Sequence, residues 1–209
     1  MGQTPFEIGV QIAAFLFSLS FHEFAHGWMA NRCGDPTARM LGRLTMNPIA
    51  HMDPIGTVLM PLIAIFTSFP VIGWAKPVPV NPINFQKPSR DDILVSAAGP
   101  GSNMLLVLIS IVVIRLCVLA GMSFGSPIST FLSYFLIING YLMLFNLIPI
   151  PPLDGSHILA NIAPPWVAEA MDRLGGFGFI IILVLIQLPI FKVIMLLPMV
   201  VLLWLAGLY

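Results

Sequence analysis

The chain has 209 residues, of which 58% are apolar and 9% charged, and its nine basic and nine acidic side chains cancel to a formal net charge of zero. Soluble domains carry about 25% charged residues, so this composition excludes an ordinary soluble fold and points to an integral membrane protein in contact with the lipid bilayer. The absence of a basic arm or patch argues against a nucleic-acid partner, and the two cysteines, Cys33 and Cys117, have no metal-site or disulfide spacing.

A membrane-spanning helix needs about 20 mainly apolar residues. The first such stretch runs from about Phe6 to Ala30. The residues before it lack the positive charge of a signal peptide, so this segment is expected to be retained. A second stretch, Ile55 to Trp74, is interrupted by Pro61 and Pro70. A third spans about Ile93 to Ala120 and a fourth Ile128 to Ile148. The last, Phe177 to Leu208, is broken around Pro189, Lys192 and Pro198, which predicts one kinked helix or two short ones.

Loop charge sets the expected topology. Arg32, Arg39 and Arg43 lie in one connection, and Lys76, Lys87 and Arg90 in the next; residues 121–127 carry no charge. The positive-inside rule places both basic connections in the cytoplasm. If both are cytoplasmic, the stretch between them cannot cross once, so Ile55–Trp74 is expected to re-enter or form a hairpin, with a plain crossing helix as the alternative. The proline-alternating run Lys76–Pro82 predicts an extended strand or edge, or a rigid linker.

Inside the first segment lies His22-Glu23-Phe24-Ala25-His26, a match to H-E-x-x-H. Residues four apart share a helix face, so His22 and His26 can bind one metal ion while Glu23 beside them acts as a base. Ionisable groups inside a membrane helix are costly and mark function. A catalytic zinc site needs a third protein ligand. The candidates are His51, Asp53, Asp154, His157, Glu169 and Asp172. Asp154 is preferred, because it follows the proline-broken run Asn146–Leu153 at the end of the fourth segment, where a buried carboxylate needs a partner. Its alternative role is to cap the next helix.

Two of these stretches, Phe21–Gly27 and Asn146–Gly155, together with the weaker match Ala98–Asn103, resemble the site-2 protease family of intramembrane zinc metalloproteases, in its small prokaryotic-type branch without an inserted regulatory domain. The resemblance implies an all-α polytopic membrane protein with a three-helix catalytic core, plus the re-entrant or hairpin segment and C-terminal helices. One membrane-embedded metalloprotease domain over residues 1–209 is expected, multi-pass in the cell membrane, and loop charge places its site toward the cytoplasm. The resemblance further implies one zinc ion on His22, His26 and Asp154, Glu23 as general base, Asn146 beside the substrate carbonyl, and membrane-protein substrates. Gly99-Pro100 is expected to serve helix packing rather than chemistry, with Gly101, Ser102 and Asn103 allowing close approach. The competing classes are a metal-binding membrane transporter, which would need a polar path across the bundle, and a non-catalytic scaffold, which would not need all four site residues intact.

Overall fold

A computed structural model describes residues 4–59 and 76–208. Seven helices of eight or more residues follow in chain order among them: α1 (Pro5–Arg32), α2 (Pro88–Leu119), α3 (Pro127–Asn146), α4 (Asp154–Ile162), α5 (Pro165–Gly175), α6 (Gly178–Leu185) and α7 (Pro189–Ala206). No strand occurs among the described residues, so the all-α expectation holds.

Three of the long helices open on a proline beside a polar group that serves their first free amides. Thr4 and Glu7 form a capping box in front of Pro5, satisfying the first free amides of α1. Ser126 caps α3 by accepting from the Ser129 amide ahead of Pro127. Helix α2 opens with Pro88, and the Asp91 carboxylate reaches back to the Lys87 amide at 2.7 Å.

Helices α1, α2, α3 and α7 are each long and apolar enough to cross a membrane. Their outer faces show large apolar side chains such as Ile12, Leu105, Leu108, Ile128 and Leu197, as a lipid-facing surface requires. Helices α1, α2 and α3 pack on one another, and α7 lies against α2 and α3. The last apolar stretch is two helices, α6 and α7, separated by residues 186–188. Pro198 sits inside α7 without ending it. Arg115, late in α2, donates to the Leu205 and Trp204 carbonyls at 2.7 and 3.1 Å, so it caps the end of α7. Helices α2 and α7 therefore finish at the same end of the bundle.

Of the second apolar stretch, only Pro54–Leu59 is described, as a π-helical turn; the expected re-entrant element otherwise lies outside the described residues. Residues 76–81 form no strand and pair with no sheet. They run instead along the end of α1, tied at both ends. The Lys76 amide donates to the His51 carbonyl, and Arg43 donates to the Lys76 and Pro77 carbonyls. Further on, the Gln86 amide donates to the Cys33 carbonyl.

Candidate metal centre

Residues 22 and 26 lie one turn apart on α1, and their rings converge: the two Nε2 atoms are 3.0 Å apart. Asp154 is the first residue of α4, after the irregular turn 147–153, and its Oδ2 lies 3.3 Å from His22 Nε2 and 3.4 Å from His26 Nε2. Among the described residues these three are the one group whose geometry suits a shared metal ion. The alternative role of Asp154, capping the next helix, is absent, since Leu153 occupies the N-cap and makes no side-chain cap.

Two glycines make the convergence possible. A Cβ on Gly99 would stand 2.3 Å from His26 Nε2 and 2.6 Å from His22 Cε1, so α2 can pass the two imidazoles only with glycine there. A Cβ on Gly155 would meet the Leu147 carbonyl oxygen at 2.3 Å, so glycine lets the first turn of α4 fold back on the end of α3 and carry Asp154 inward. The packing role expected for the Gly99 region is real, but Gly99 carries it. Gly101 has open space around its Cα.

The same helix α2 holds both rings from behind. His26 Nδ1 lies 2.7 Å from the Val95 carbonyl oxygen, and His22 Nδ1 lies 2.7 Å from Asn103 Oδ1. A carbonyl only accepts, so His26 carries its proton on Nδ1 and turns a lone pair on Nε2 toward the site. Asp154 Oδ2 is buried and accepts no hydrogen bond. Convergent lone pairs repel and a buried unpaired carboxylate oxygen is costly unless a cation sits between them. A tetrahedral zinc ion bound at 2.0–2.1 Å separates its ligand atoms by roughly 3.3 Å, which the 3.0–3.4 Å triangle matches. The residues fit such an ion.

Glu23, also buried, is held from a different direction. Its Oε2 accepts the Val78 amide at 2.8 Å. The Val78 side chain packs over Gly27, where a Cβ would lie 3.0 Å from Val78 Cγ1. Sequence reading missed the residue that sets this segment. Asp35, fully buried, accepts from the Asn81 amide at 2.7 Å, from Asn84 Nδ2 at 2.8 Å, and from both the amide and the hydroxyl of Thr37. Burial alone would push its carboxyl up, but these hydrogen bonds outweigh that and hold it below the usual carboxylate range. The available signal was an acid beside Gly34, which adopts φ +105° at the end of α1.

The remaining candidates sit elsewhere. Asn146 ends α3 and donates its amide to the Leu142 carbonyl of its own helix at 3.0 Å. His51 is buried, with Nε2 2.7 Å from the Thr45 carbonyl oxygen, and Asp53 Oδ1 accepts from the Ile55 and Gly56 amides. His157 lies on α4 with Nδ1 3.7 Å from Asp92 Oδ2, and that pairing, ahead of the opposing effect of burial, raises its pKa. Glu169 pairs with exposed Arg173 on α5, which also carries Asp172.

Comparison with known proteins identifies the family. The profile of peptidase family M50 matches residues 116–186, the part containing Asp154. YwhC of Bacillus subtilis (strain 168), provisionally named a zinc metalloprotease, is 42% identical over 183 residues, covering 86% of this chain and 80% of YwhC. Rip2 of Mycolicibacterium smegmatis, also provisionally named a zinc metalloprotease, is 30% identical over 185 residues, covering 85% of this chain and 66% of Rip2. No solved structure matches the chain. With a close relative matched over most of both sequences and four helices fit to span a bilayer, the chain belongs to peptidase family M50, the site-2 proteases, as a multi-pass membrane metalloprotease.

Proposed function

We propose that the chain is a single membrane-embedded domain, residues 1–209, that hydrolyses peptide bonds in or near transmembrane segments of membrane proteins. The observation that carries this reading is the meeting of His22 Nε2, His26 Nε2 and Asp154 Oδ2 within 3.0–3.4 Å of one another, beside Glu23. These three residues hold one zinc ion, as the provisional names of the relatives suggest. When bound, zinc supplies a Lewis acid that makes water more acidic and a peptide carbonyl more electrophilic.

The chain's own residues supply the rest. Glu23 takes a proton from the attacking water and delivers it to the leaving amine. The Val78 amide fixes one carboxylate oxygen of Glu23, which leaves the other for proton transfer. Asn146, released from Leu142, donates to the substrate carbonyl. The stretch 76–81 lies next to Glu23 and borders the path of an extended substrate. Two of its amides, those of Val78 and Asn81, are already committed to Glu23 and Asp35, so strand-like pairing with substrate would use other groups.

His22 stands seventeen residues beyond the start of α1, or about 26 Å along the axis at 1.5 Å per residue. Against a hydrocarbon core of about 30 Å, this depth supports a site within the cytoplasmic half of the bilayer. The basic connections at that end support the cytoplasmic assignment. A transporter reading is disfavoured by the opposite end of the bundle, where Val107, Ile114, Leu136 and Ala206 form a buried apolar cluster across the path.

The deciding experiment compares membrane fractions from cells producing the wild-type chain and Glu23→Gln. Fragments ending within transmembrane segments should appear only with the wild type. Identical fragment sets, with wild-type zinc bound in both proteins, would refute the protease reading.

A further inference from the structure

A chain of buried polar side chains runs behind His22 and crosses all three core helices. Ser18 on α1, Asn103 on α2 and Asn139 on α3 are each fully buried. Asn139 Nδ2 donates to the Phe135 carbonyl and to Ser18 Oγ, both at 2.8 Å. Asn103 Nδ2 donates to Asn139 Oδ1 at 2.8 Å, and Asn103 Oδ1 faces His22 Nδ1 at 2.7 Å. Fully buried amide side chains need hydrogen-bond partners, and here they serve one another, so each member constrains the next.

The direction of this chain follows from carbonyls that can only accept. The Phe135 carbonyl can only accept, so the Asn139 atom 2.8 Å from it must be the NH2 nitrogen, and the Asn139 oxygen must point at Asn103. The Ser18 hydroxyl donates to the Ala14 carbonyl at 2.8 Å, which leaves its oxygen to accept from Asn139 and reinforces the same sense. Asn103 must then present NH2 to Asn139 and oxygen to His22. Its second contact, to the Ser18 carbonyl, is 3.4 Å long and too weak to fix the orientation alone. An oxygen facing His22 Nδ1 requires a proton on that nitrogen, and a neutral imidazole protonated on Nδ1 has its lone pair on Nε2.

We propose that Asn139 is a positioning residue: anchored on the Phe135 carbonyl and acting through Asn103, it selects the Nδ1–H tautomer of His22, so that Nε2 faces Asp154 as a ligand. The inference rests on the metal reading of the site and adds to it the source of the ligand's protonation pattern. Asn139 holds His22 only through Asn103, and its own hydrogen-bonding partners lie on α1, α2 and α3. His26 needs no such relay, because the Val95 carbonyl fixes its tautomer directly. Without Asn139, Asn103 is free to turn its NH2 toward His22 and favour the Nε2–H form, which cannot ligate.

The test uses two variants of nearly equal size. In Asn139→Thr the hydroxyl can donate to the carbonyl four residues back and accept from Asn103, which preserves the direction of the chain. In Asn139→Val it cannot. Zinc affinity is measured by chelator competition on the purified full chain. The His22 tautomer is read from imidazole 15N shifts with and without metal, assigned by loss of the signal in His22→Ala. The wild type and Asn139→Thr should show His22 protonated on Nδ1 and similar zinc affinity. Asn139→Val should bind zinc about 10–100-fold more weakly, the range for loss of an outer partner of a metal-bound histidine, and show a tautomer mixture. Equal zinc affinity in Asn139→Val and the wild type would overturn the proposal. So would an Nε2–H His22 in the metal-free wild type, a measurement that stands even if Asn139→Val fails to accumulate. A wild-type chain that binds no zinc would instead overturn the metal reading, and the tautomer in that sample would still decide this inference.

Discussion

The two histidines proposed as zinc ligands and the proposed base Glu23 stand side by side on α1, yet they are supported in different ways. His22 and His26 are backed by one long helix, α2, through Asn103 and the Val95 carbonyl, with Gly99 pressed against both rings. Glu23 is backed by a segment without regular secondary structure, which reaches it through a single amide and is tied down by Asp35. Helix backbone places a partner through many cooperative bonds, whereas an irregular segment depends on the few bonds that hold it. Damage to the first support should therefore remove metal and activity together, and damage to the second should remove activity while leaving metal in place.

The sharpest way to break the helix-built support is Gly99→Ala. The added methyl would lie 2.3 Å from His26 Nε2 and 2.6 Å from His22 Cε1, and both rings are already fixed at Nδ1, so they cannot simply rotate away. Zinc content by mass spectrometry should fall to background, and cleavage with it. Gly101→Ala, two residues on and facing open space, should leave both near wild type. Asp154→Ala should likewise lose zinc, since it removes one of the three donor atoms.

Glu23→Gln breaks the other side. The side chain keeps its size and an oxygen that can accept from Val78, but it cannot take a proton. Cleavage should fall by about 10²–10⁴-fold, the range for loss of a general base, with zinc stoichiometry unchanged. Zinc lost together with activity would erase the distinction between the two supports.

Much of this site was legible in the sequence, and the reason is spacing. The i, i+4 histidines declare their shared face from local geometry alone. Asp154 was legible because prolines and a glycine break an apolar run just before it. What was not legible is what holds these residues. From sequence Asn103 is expected to serve close helix packing, but its contacts with His22 and Asn139, like the role of Asn139 itself, depend on which helices are neighbours and on rotational setting. The role of Asp35 has no local signature, because its partners Asn81 and Asn84 lie more than forty residues away. Lys76–Pro82 reads equally as a strand or a rigid linker; residues 76–81 form no strand, and proline spacing could not show that the Val78 and Asn81 amides turn to carboxylates on and after α1.

Asp35→Asn should produce a smaller effect, confined to the base side. An asparagine there brings an NH2 group among donors that require oxygen acceptors, at a cost of about 1–3 kcal/mol of stability. Catalytic rate should fall while zinc content stays at the wild-type level. The pH dependence has a definite sign. The folded-state pKa of Asp35 is depressed, so its stabilisation is present above the ordinary carboxylate value and is lost as pH falls through the lowered one. Thermal melts of the wild type and Asp35→Asn should therefore differ most near neutral pH and converge in acid. A constant gap across that range would show that the carboxylate charge is not what holds the segment.

The smallest effect is expected from His157, which links the helix carrying Asp154 to the start of α2. Its partner Asp92 also accepts from Asn161 Nδ2 at 2.5 Å, so α4 stays tied to α2 when the histidine is lost. The His157 side chain is 58% exposed, which limits its pairing with Asp92 to less than about 1 kcal/mol. Its pKa is raised, so the contribution is complete below the ordinary histidine value of about 6.5 and disappears as pH rises through the raised one. His157→Gln should melt slightly below the wild type near pH 6 and match it at high pH, with zinc bound in both. A gap that widened with rising pH would mean that the neutral imidazole, and not its charged pairing with Asp92, links α4 to α2.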